Sequence, residues 1–592
     1  MADQSIAAAT LRRQLERLYG AQHDIDVLSD RVDALLAARA AERSPELQAL
    51  DAQRSADPDW FVAPDMIGYS TYVDRFAGTV EGLRTHVPHL ESLGVRYLHL
   101  LALLKAREGD SDGGFAVADY LSVEPRLGTM ADVERLASRL RKARISLCVD
   151  LALNHTADDH GWARAAKAGD PHYRDFYHTL SREEATEREA HLPQVFPATA
   201  PGNFTPVPEM GGMVWTTFYP FQWDLNWANP NVMLAIIDTM LRLANHGVEA
   251  FRLDSIAFLW KQAGTDCRNL PQAHYIVRAL RAALDIVAPA TLLKAEAIVP
   301  TAFVPPYFGA DDGAGFEPEC HLVYNNSLMV AGWTALAEQS AALPDAIIRA
   351  SGGLPRGANW LSYARCHDDI GWGAVLGDLY TIDPDPVARL RGAARFMEGA
   401  GDSWARGEPF QSDGSALHGT NGTMASLAGL EAAGNDAQAR EAAFRRIRLL
   451  NALSIASGGL STVYMGDEAG LLNDSSYRSD PQRTHEGRWL HRPEMDRAAL
   501  ESADAKRITG DLAALRDARI ASGGAGAPAA LDSGDPTVLA IACGSDRVFL
   551  NFSDRPVTIP APKAWQDRLT GARLGETMMI EAWQVVWAGP AA

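Results

Sequence analysis

An α/β architecture built around a closed parallel barrel follows from three features of the 592-residue chain. From Met66 onward, short apolar runs alternate with amphipathic segments, the pattern of repeated βα units whose parallel strands close on themselves. Acids and histidines stand where those runs end, in Asp150-Leu151-Ala152-Leu153-Asn154-His155, Phe251-Arg252-Leu253-Asp254, Lys294-Ala295-Glu296-Ala297 and Cys366-His367-Asp368-Asp369. Both flanks differ in composition from this middle part. Together these features predict a (β/α)8 TIM barrel with a helical N-terminal domain, two loop insertions and a C-terminal antiparallel β domain.

The elements read in order as follows. Residues 1–58 are rich in Ala, Leu, Arg and Glu, with Leu11, Leu15 and Leu18 and then Leu28, Val32 and Leu35 at helical spacing, which suits packing against a larger body. The barrel is expected over 59–524. Its strands are read at Met66 to Val73, Tyr97 to Leu101, Ile145 to Leu151, Val248 to Leu253, Thr291 to Ala295, Trp360 to Ala364 and Ser461 to Tyr464. Helices are read at Thr79 to Leu93, with Leu83, Val87 and Leu90 on one face, and at Met130 to Ala143. Two stretches are too long for ordinary βα loops: 152–229 after the third strand and 370–440 after the seventh, the latter with the turn Gln411-Ser412-Asp413-Gly414-Ser415. Insertions on the C-terminal face of a barrel shape its pocket. Residues 525–592 alternate apolar and polar positions between Asp, Gly and Pro turns and predict a β-sandwich.

Composition narrows the partners. A net charge of −20 argues against nucleic acid and anionic membrane, both of which need clustered positive charge. The five cysteines, Cys148, Cys267, Cys320, Cys366 and Cys543, are scattered without a CxxC and read as reduced thiols. The first twenty residues contain Arg12 and Arg13 and lack an uninterrupted apolar core, and no later run is long enough to span a bilayer. A cytoplasmic location is the expectation.

Cleaving a glycosidic bond with retention needs a carboxylate nucleophile and a carboxylic acid about 5 Å apart. Asp254, ending the fourth strand, suits the nucleophile, and Glu296, ending the fifth, suits the acid that then serves as base. Arg252 shares a strand face with Asp254 by period two and can orient it. Negative neighbours would keep Glu296 protonated. Asp368 is a third acid, placed to stabilise an oxocarbenium-like transition state. His155 and His367 can donate hydrogen bonds to hydroxyls of the same sugar.

These four segments resemble the four sequence regions of glycoside hydrolase family 13, the α-amylase family, over Met66 to the C-terminus. Longer stretches resemble its amylosucrase and sucrose hydrolase group: Ser111-Asp112-Gly113-Gly114-Phe115-Ala116-Val117, Trp215-Thr216-Thr217-Phe218, Phe221-Gln222-Trp223-Asp224-Leu225-Asn226, Asp254 through Ala263, His367-Asp368-Asp369-Ile370-Gly371-Trp372 and Arg488-Trp489. The resemblance implies Asp254 as nucleophile, Glu296 as acid/base and Asp368 as transition-state stabiliser. It also implies an Asp112 to Arg488 ion pair that closes the pocket behind one glucose unit, Phe115 as a ring platform, and Phe218 and Gln222 as lining residues. Asp369, with Arg406 nearby, would contact the fructosyl part of sucrose.

Three departures bear on the outcome. Phe115 stands where the group usually has tyrosine. Pro193 and Ala198 stand where polymer-forming members carry an arginine and an aspartate, and no arginine lies between Gln411 and Thr420. Without those charges at the acceptor sites, water competes better, so hydrolysis of sucrose is expected to outweigh glucan synthesis. Arg478 or Arg483 could fill the gap. Asn154 matches a calcium-binding position of many α-amylases, yet the resembled group does not depend on metal, so no cofactor is expected. The expected partners are sucrose and sugar acceptors, with the chain a monomer or a homodimer. Three alternatives stay open: an amylosucrase making α-1,4-glucan, another α-glucosidase or trehalose-acting enzyme, and a non-catalytic sugar-binding subunit.

Overall fold

The computed structural model describes residues 4–591 apart from positions 312, 314, 413–416, 482 and 525, so most of the turn read at 411–415 lies outside the described residues. Eight parallel strands form a closed barrel: β1 (Ile67–Tyr72), β2 (Val95–Leu101), β3 (Ser146–Ala152), β4 (Ala250–Asp254), β5 (Leu292–Ala295), β6 (Leu322–Tyr324), β7 (Asn359–Tyr363) and β8 (Leu460–Tyr464). β8 pairs back onto β1. Their residues are buried almost throughout, because helices cover the outside and side chains fill the inside. The sequence reading supplies seven of these strands and misses β6. That strand has only three residues, Leu322-Val323-Tyr324, too short for any periodicity to register.

The outer ring includes α4 (Val80–Ser92), α5 (Met130–Lys142), α6 (Pro230–Asn245) and α7 (Pro271–Val287). Thr129 begins α5 with a capping box, its hydroxyl accepting the Asp132 N–H while Asp132 accepts the Thr129 N–H. Ahead of the barrel lie α1 (Gln4–Tyr19), α2 (Ile25–Ala41) and α3 (Pro45–Ala56). α1 packs along α7, burying Leu11, Leu15 and Tyr19, and α2 buries Leu28, Val32 and Leu36. Leu18 and Leu35 are only partly buried, because each stripe is turned by one residue from the expected face.

The stretch after β3 folds into short strands and helices, including an antiparallel pair of His155–Ala157 with Gln222–Asp224. The stretch after β7 holds the short strands Ile370–Gly371, Glu408–Phe410 and Gly419–Asn421 in one small sheet. Near the C-terminus, a five-stranded antiparallel sheet and a two-stranded one enclose Val538, Phe549, Ile559, Ile580 and Val586. No helix among the described residues is long and apolar enough to cross a membrane.

One buried carboxylate fastens the N-terminal helices. Glu317 accepts from Arg13 at 2.9 Å, Gln14 at 2.8 Å and Arg17 at 3.0 Å, all on α1, and faces Arg278 of α7 at 3.7 Å. Glu317→Leu is therefore expected to cost about 3 kcal/mol, since buried Gln14 and Arg278 lose a buried partner. The check is the first transition in a denaturant melt together with proteolysis around residues 20–24. An unchanged melt would mean that apolar packing alone holds α1.

Candidate active site

Asp150, Arg252 and Lys294 lie in register on β3, β4 and β5 and point into the barrel. Arg252, 2 % exposed, is the centre of the constellation. Its Nη1 donates to Asp254 Oδ1 at 2.5 Å and lies 3.3 Å from Asp150 Oδ1, while its Nη2 donates to Glu296 Oε1. One planar fork thus binds acids from the ends of two adjacent strands. Ser255, next after Asp254, has φ +53°, a left-handed conformation of order 1 kcal/mol above an ordinary one. That turn aims the Ser255 N–H at Glu296 Oε2, 3.0 Å away.

Burial raises the proton affinity of Glu296 to about 8; Asp254 and Asp368 add to the rise, and Arg252 opposes it. Asp368 goes the other way. Its burial works against charge, but Arg488, Arg252 and Arg492 together hold it below the usual carboxylate range. Two acids pushed apart in this way can act as proton donor and fixed negative charge at one pH.

Arg488 is a second hub, on a turn far along the chain. It donates to Asp112 Oδ1 at 2.8 Å, to Asp368 Oδ1 at 3.2 Å and to Glu486 at 2.7 and 2.8 Å. Phe196 and Phe410, one from each long insertion, flank its guanidinium at 5.6 and 5.1 Å. Gln222 Nε2 donates to Asp112 Oδ2 at 3.2 Å and lies 3.0 Å from His155 Nε2. Burial pushes Asp112 up to about 7 despite Arg488, whereas Arg488 draws Glu486 down to about 2 against its burial. Asp112 sits at φ +53°, followed by Gly113 and Gly114, where a Cβ on Gly114 would stand 2.6 Å from Ala102 Cβ. The tight turn is what brings Asp112 and Phe115 together.

Phe115 stacks on His367, centroids 5.5 Å apart and planes 16° off parallel, and Phe218 packs on His155 at 5.3 Å. The His367 carbonyl accepts from Arg492 and His491, which fixes the backbone of the Asp368 turn. Burial, reinforced by Arg252 and Arg492, keeps the His367 imidazole well below its usual range. Asp369 is half-buried and pushed up to about 6, first by burial and then by Asp368, with Arg488 opposing.

Arg406 is exposed, and its Nη1 donates to the carbonyls of Ser403 and Ala405 in its own loop; among the described residues no hydrogen bond or ion pair joins it to Asp369. The Trp404-Ala405-Arg406-Gly407 turn folds back on itself, a path that residue type alone does not reveal. Arg478 donates to Glu408, and Arg483 lies 3.5 Å from Asp480.

Two groups escaped sequence reasoning. Glu486 precedes Arg488 by two residues in a loop, where spacing carries no face information. Lys261 places its buried ammonium 2.6 Å from Asp224 Oδ2, 3.1 Å from Asn154 Oδ1, 3.3 Å from Thr217 Oγ1 and 2.7 Å from the Phe258 carbonyl. Oxygens that face Asn154 are thus paired with a cation of the chain's own. The donor atoms of Cys366, His367 and Asp368 lie within 4.8 Å of one another, but burial pushes the Cys366 thiol up to about 12, and a neutral thiol is a poor metal ligand.

A trehalose synthase from Thermus thermophilus is 31% identical over 347 residues, 56% of this chain and 34% of the relative. A glucosylglycerate phosphorylase from Spirochaeta thermophila is 39% identical over 219 residues, 37% of this chain and 35% of the relative. The chain thus spans between about a third and about half of the length of such curated relatives. The crystal structure of sucrose 6F-phosphate phosphorylase from Thermoanaerobacter thermosaccharolyticum superposes with a TM-score of 0.65 at 17% identity, over 87% of this chain and 98% of that one, and shares the fold. Residues 50–324, which hold Asp112, Arg252, Asp254 and Glu296, match the family model described as the alpha amylase catalytic domain.

Proposed function

We propose that the chain is a retaining α-glucosyl enzyme that cleaves sucrose and passes glucose mainly to water. The observation that carries this reading is the Arg488 hub. By tying Asp112 to Asp368 under the aromatic walls of Phe196 and Phe410, it supports a pocket closed behind a single glucose unit. A closed end favours a small substrate cut at its first sugar over a polymer threaded through a cleft. In this reading residues 59–524 carry the chemistry, with 1–58 and 525–592 flanking it.

In the first step the Asp254 carboxylate attacks the anomeric carbon while Glu296 gives its proton to the bridging oxygen. Fructose leaves and a β-glucosyl ester remains on Asp254. In the second step Glu296, now a carboxylate, takes a proton from water, which attacks from the face that fructose left. The product is α-glucose. Asp368 stays negative throughout and stabilises positive charge on the flattened ring. His155, His367, Gln222 and Asp112 are in position to hold sugar hydroxyls, Phe115 and Phe218 to pack on the ring, and Asp369 to meet the fructosyl part.

Hydrolysis over polymer synthesis rests on the acceptor side. Pro193 and Ala198 bring no charge there, Arg478 and Arg483 pair with Glu408 and Asp480, and Arg406 is turned into its own loop. None of these side chains is spare for a growing glucan.

Three outcomes are expected. Incubation with sucrose alone should release glucose and fructose in equal amounts. Fructose in large excess with insoluble glucan would make the chain an amylosucrase, and no fructose at all would remove sucrose as substrate. Glu296→Gln should abolish turnover while leaving sucrose binding measurable by calorimetry; largely intact activity would sink the role given to Glu296. Because Glu296 must carry its proton in the first step, kcat/KM should hold at neutral pH and fall as pH rises through about 8. A profile flat beyond that pH would refute the assignment.

A further inference from the structure

Beneath the two carboxylates lies a positive charge that the proposed reaction does not use. Lys294 precedes Glu296 by two residues on β5 and is 1 % exposed. Its ammonium faces the rings of Tyr97 on β2 at 5.4 Å and Tyr324 on β6 at 4.8 Å. Cys148 and Asp150 on β3, Arg252 on β4 and Glu296 just after β5 are the further charged and titratable groups around it. Among the described residues its one hydrogen-bond acceptor is His99 Nδ1, 3.3 Å away.

The other nitrogen of that ring, His99 Nε2, lies 3.0 Å from Asp150 Oδ1. Asp150 also accepts the Ala102 N–H at 2.9 Å and faces Arg252 Nη1 at 3.3 Å. An ammonium at Nδ1 and a carboxylate at Nε2 agree on one tautomer, with the ring proton on Nε2 and aimed at Asp150. We propose that Lys294 is a positioning residue: it fixes His99 as the Nε2–H tautomer, and His99 in turn holds Asp150 as the anchor of the Arg252 fork that carries Asp254 and Glu296. The consequence for turnover rests on the roles given above to those two acids.

The tautomer is a real choice because the ring is neutral. Burial, with Lys294 adding to it, holds His99 down to about 4. Without the ammonium, Nδ1 loses its donor in a buried site, and the Asp150 carboxylate at 3.0 Å alone is left to hold the ring and its Nε2 proton. Asp150 would turn to Arg252 for compensation, and the fork would shift away from Asp254 and Glu296. Displacements of about 1 Å at a reacting centre cost up to about 10²-fold in rate.

A double-mutant cycle tests this. Lys294→Met is expected to lower kcat for sucrose by up to about 10²-fold with KM nearly unchanged. His99→Phe should do likewise, and the double variant should be no slower than His99→Phe alone, because Lys294 acts through the ring. Losses that multiply, or a Lys294→Met enzyme with full kcat, would overturn the proposal. A shift of the alkaline limb that persists in the His99→Phe background would also overturn it, by assigning Lys294 a direct electrostatic effect on Glu296. Should these variants not fold, 15N-histidine spectra of the unmodified enzyme at about pH 7, with His99 assigned from a His99→Gln difference, decide the matter. Nε2–H with the Nδ1 resonance shifted by an accepted hydrogen bond supports the proposal, and a free Nδ1, Nδ1–H or imidazolium refutes it. Intact activity of Glu296→Gln would instead strike at the roles of the carboxylates and leave the tautomer result standing.

Discussion

Everything at the mouth of this barrel is arranged around the buried guanidinium of Arg252. A cation removed from water must be matched by negative charge with good geometry, or the chain will not bury it. Arg252 meets that condition with acids from three successive strands, Asp150 on β3, Asp254 on β4 and Glu296 after β5. Because the fork is planar and both its outer nitrogens are engaged, Asp254 and Glu296 are held at fixed places relative to each other. Three acids then face Arg252, with Lys294 the next nearest cation. Burial first, and then the charges of Asp254 and Asp368, lead one acid to keep its proton, and Glu296 is the one that does.

A second charge cluster closes the site from the side. Arg488 neutralises Glu486 and engages Asp112 and Asp368, so acids from the loop after β2 and the loop after β7 converge on a residue that comes after β8. The two insertions supply its apolar walls through Phe196 and Phe410. Gln411, just after Phe410, ties those insertions to each other by accepting the Ala198 N–H at 3.1 Å and donating to Thr199 at 2.9 Å. The barrel thus supplies depth and the reacting acids, whereas the insertions supply enclosure. A ligand in such a place meets low dielectric on most sides, where each hydrogen bond and each charge counts for more than in water.

The legible parts of the chain are those where chemistry and periodicity coincide. Arg252 and Asp254 share a face because they are two residues apart on a strand, and the pairing is on the page before any fold is known. Seven strands announce themselves by β-type runs of four residues or more, but Leu322–Tyr324 is too short to do so. Asp112 and Arg488 stand 376 positions apart, and only family resemblance could join them. Glu486 and Arg406 sit in irregular loops, where backbone path decides orientation and no residue type encodes that path. Lys261 and Lys294 were hidden for another reason: a lysine in sequence reads as surface, and its burial shows only when Asp224 or His99 is seen waiting for it.

The raised proton affinity of Glu296 also explains how one residue can serve both halves of the proposed reaction. Part of that rise comes from the negative charge of Asp254, and Arg252 works against it. Once a glucosyl ester forms, Asp254 is neutral and that contribution is gone, while the guanidinium remains. Burial still raises the affinity of Glu296 for a proton, but it falls by the Asp254 contribution, just after Glu296 has given its proton to the leaving group and just before it must act on water. Asp368, held ionised by Arg488, Arg252 and Arg492, contributes to both states alike and so cannot reverse the change. The cycling of the acid/base therefore needs no movement of the protein. It follows from whether Asp254, beside Glu296 on the same arginine, is esterified or ionised at each moment.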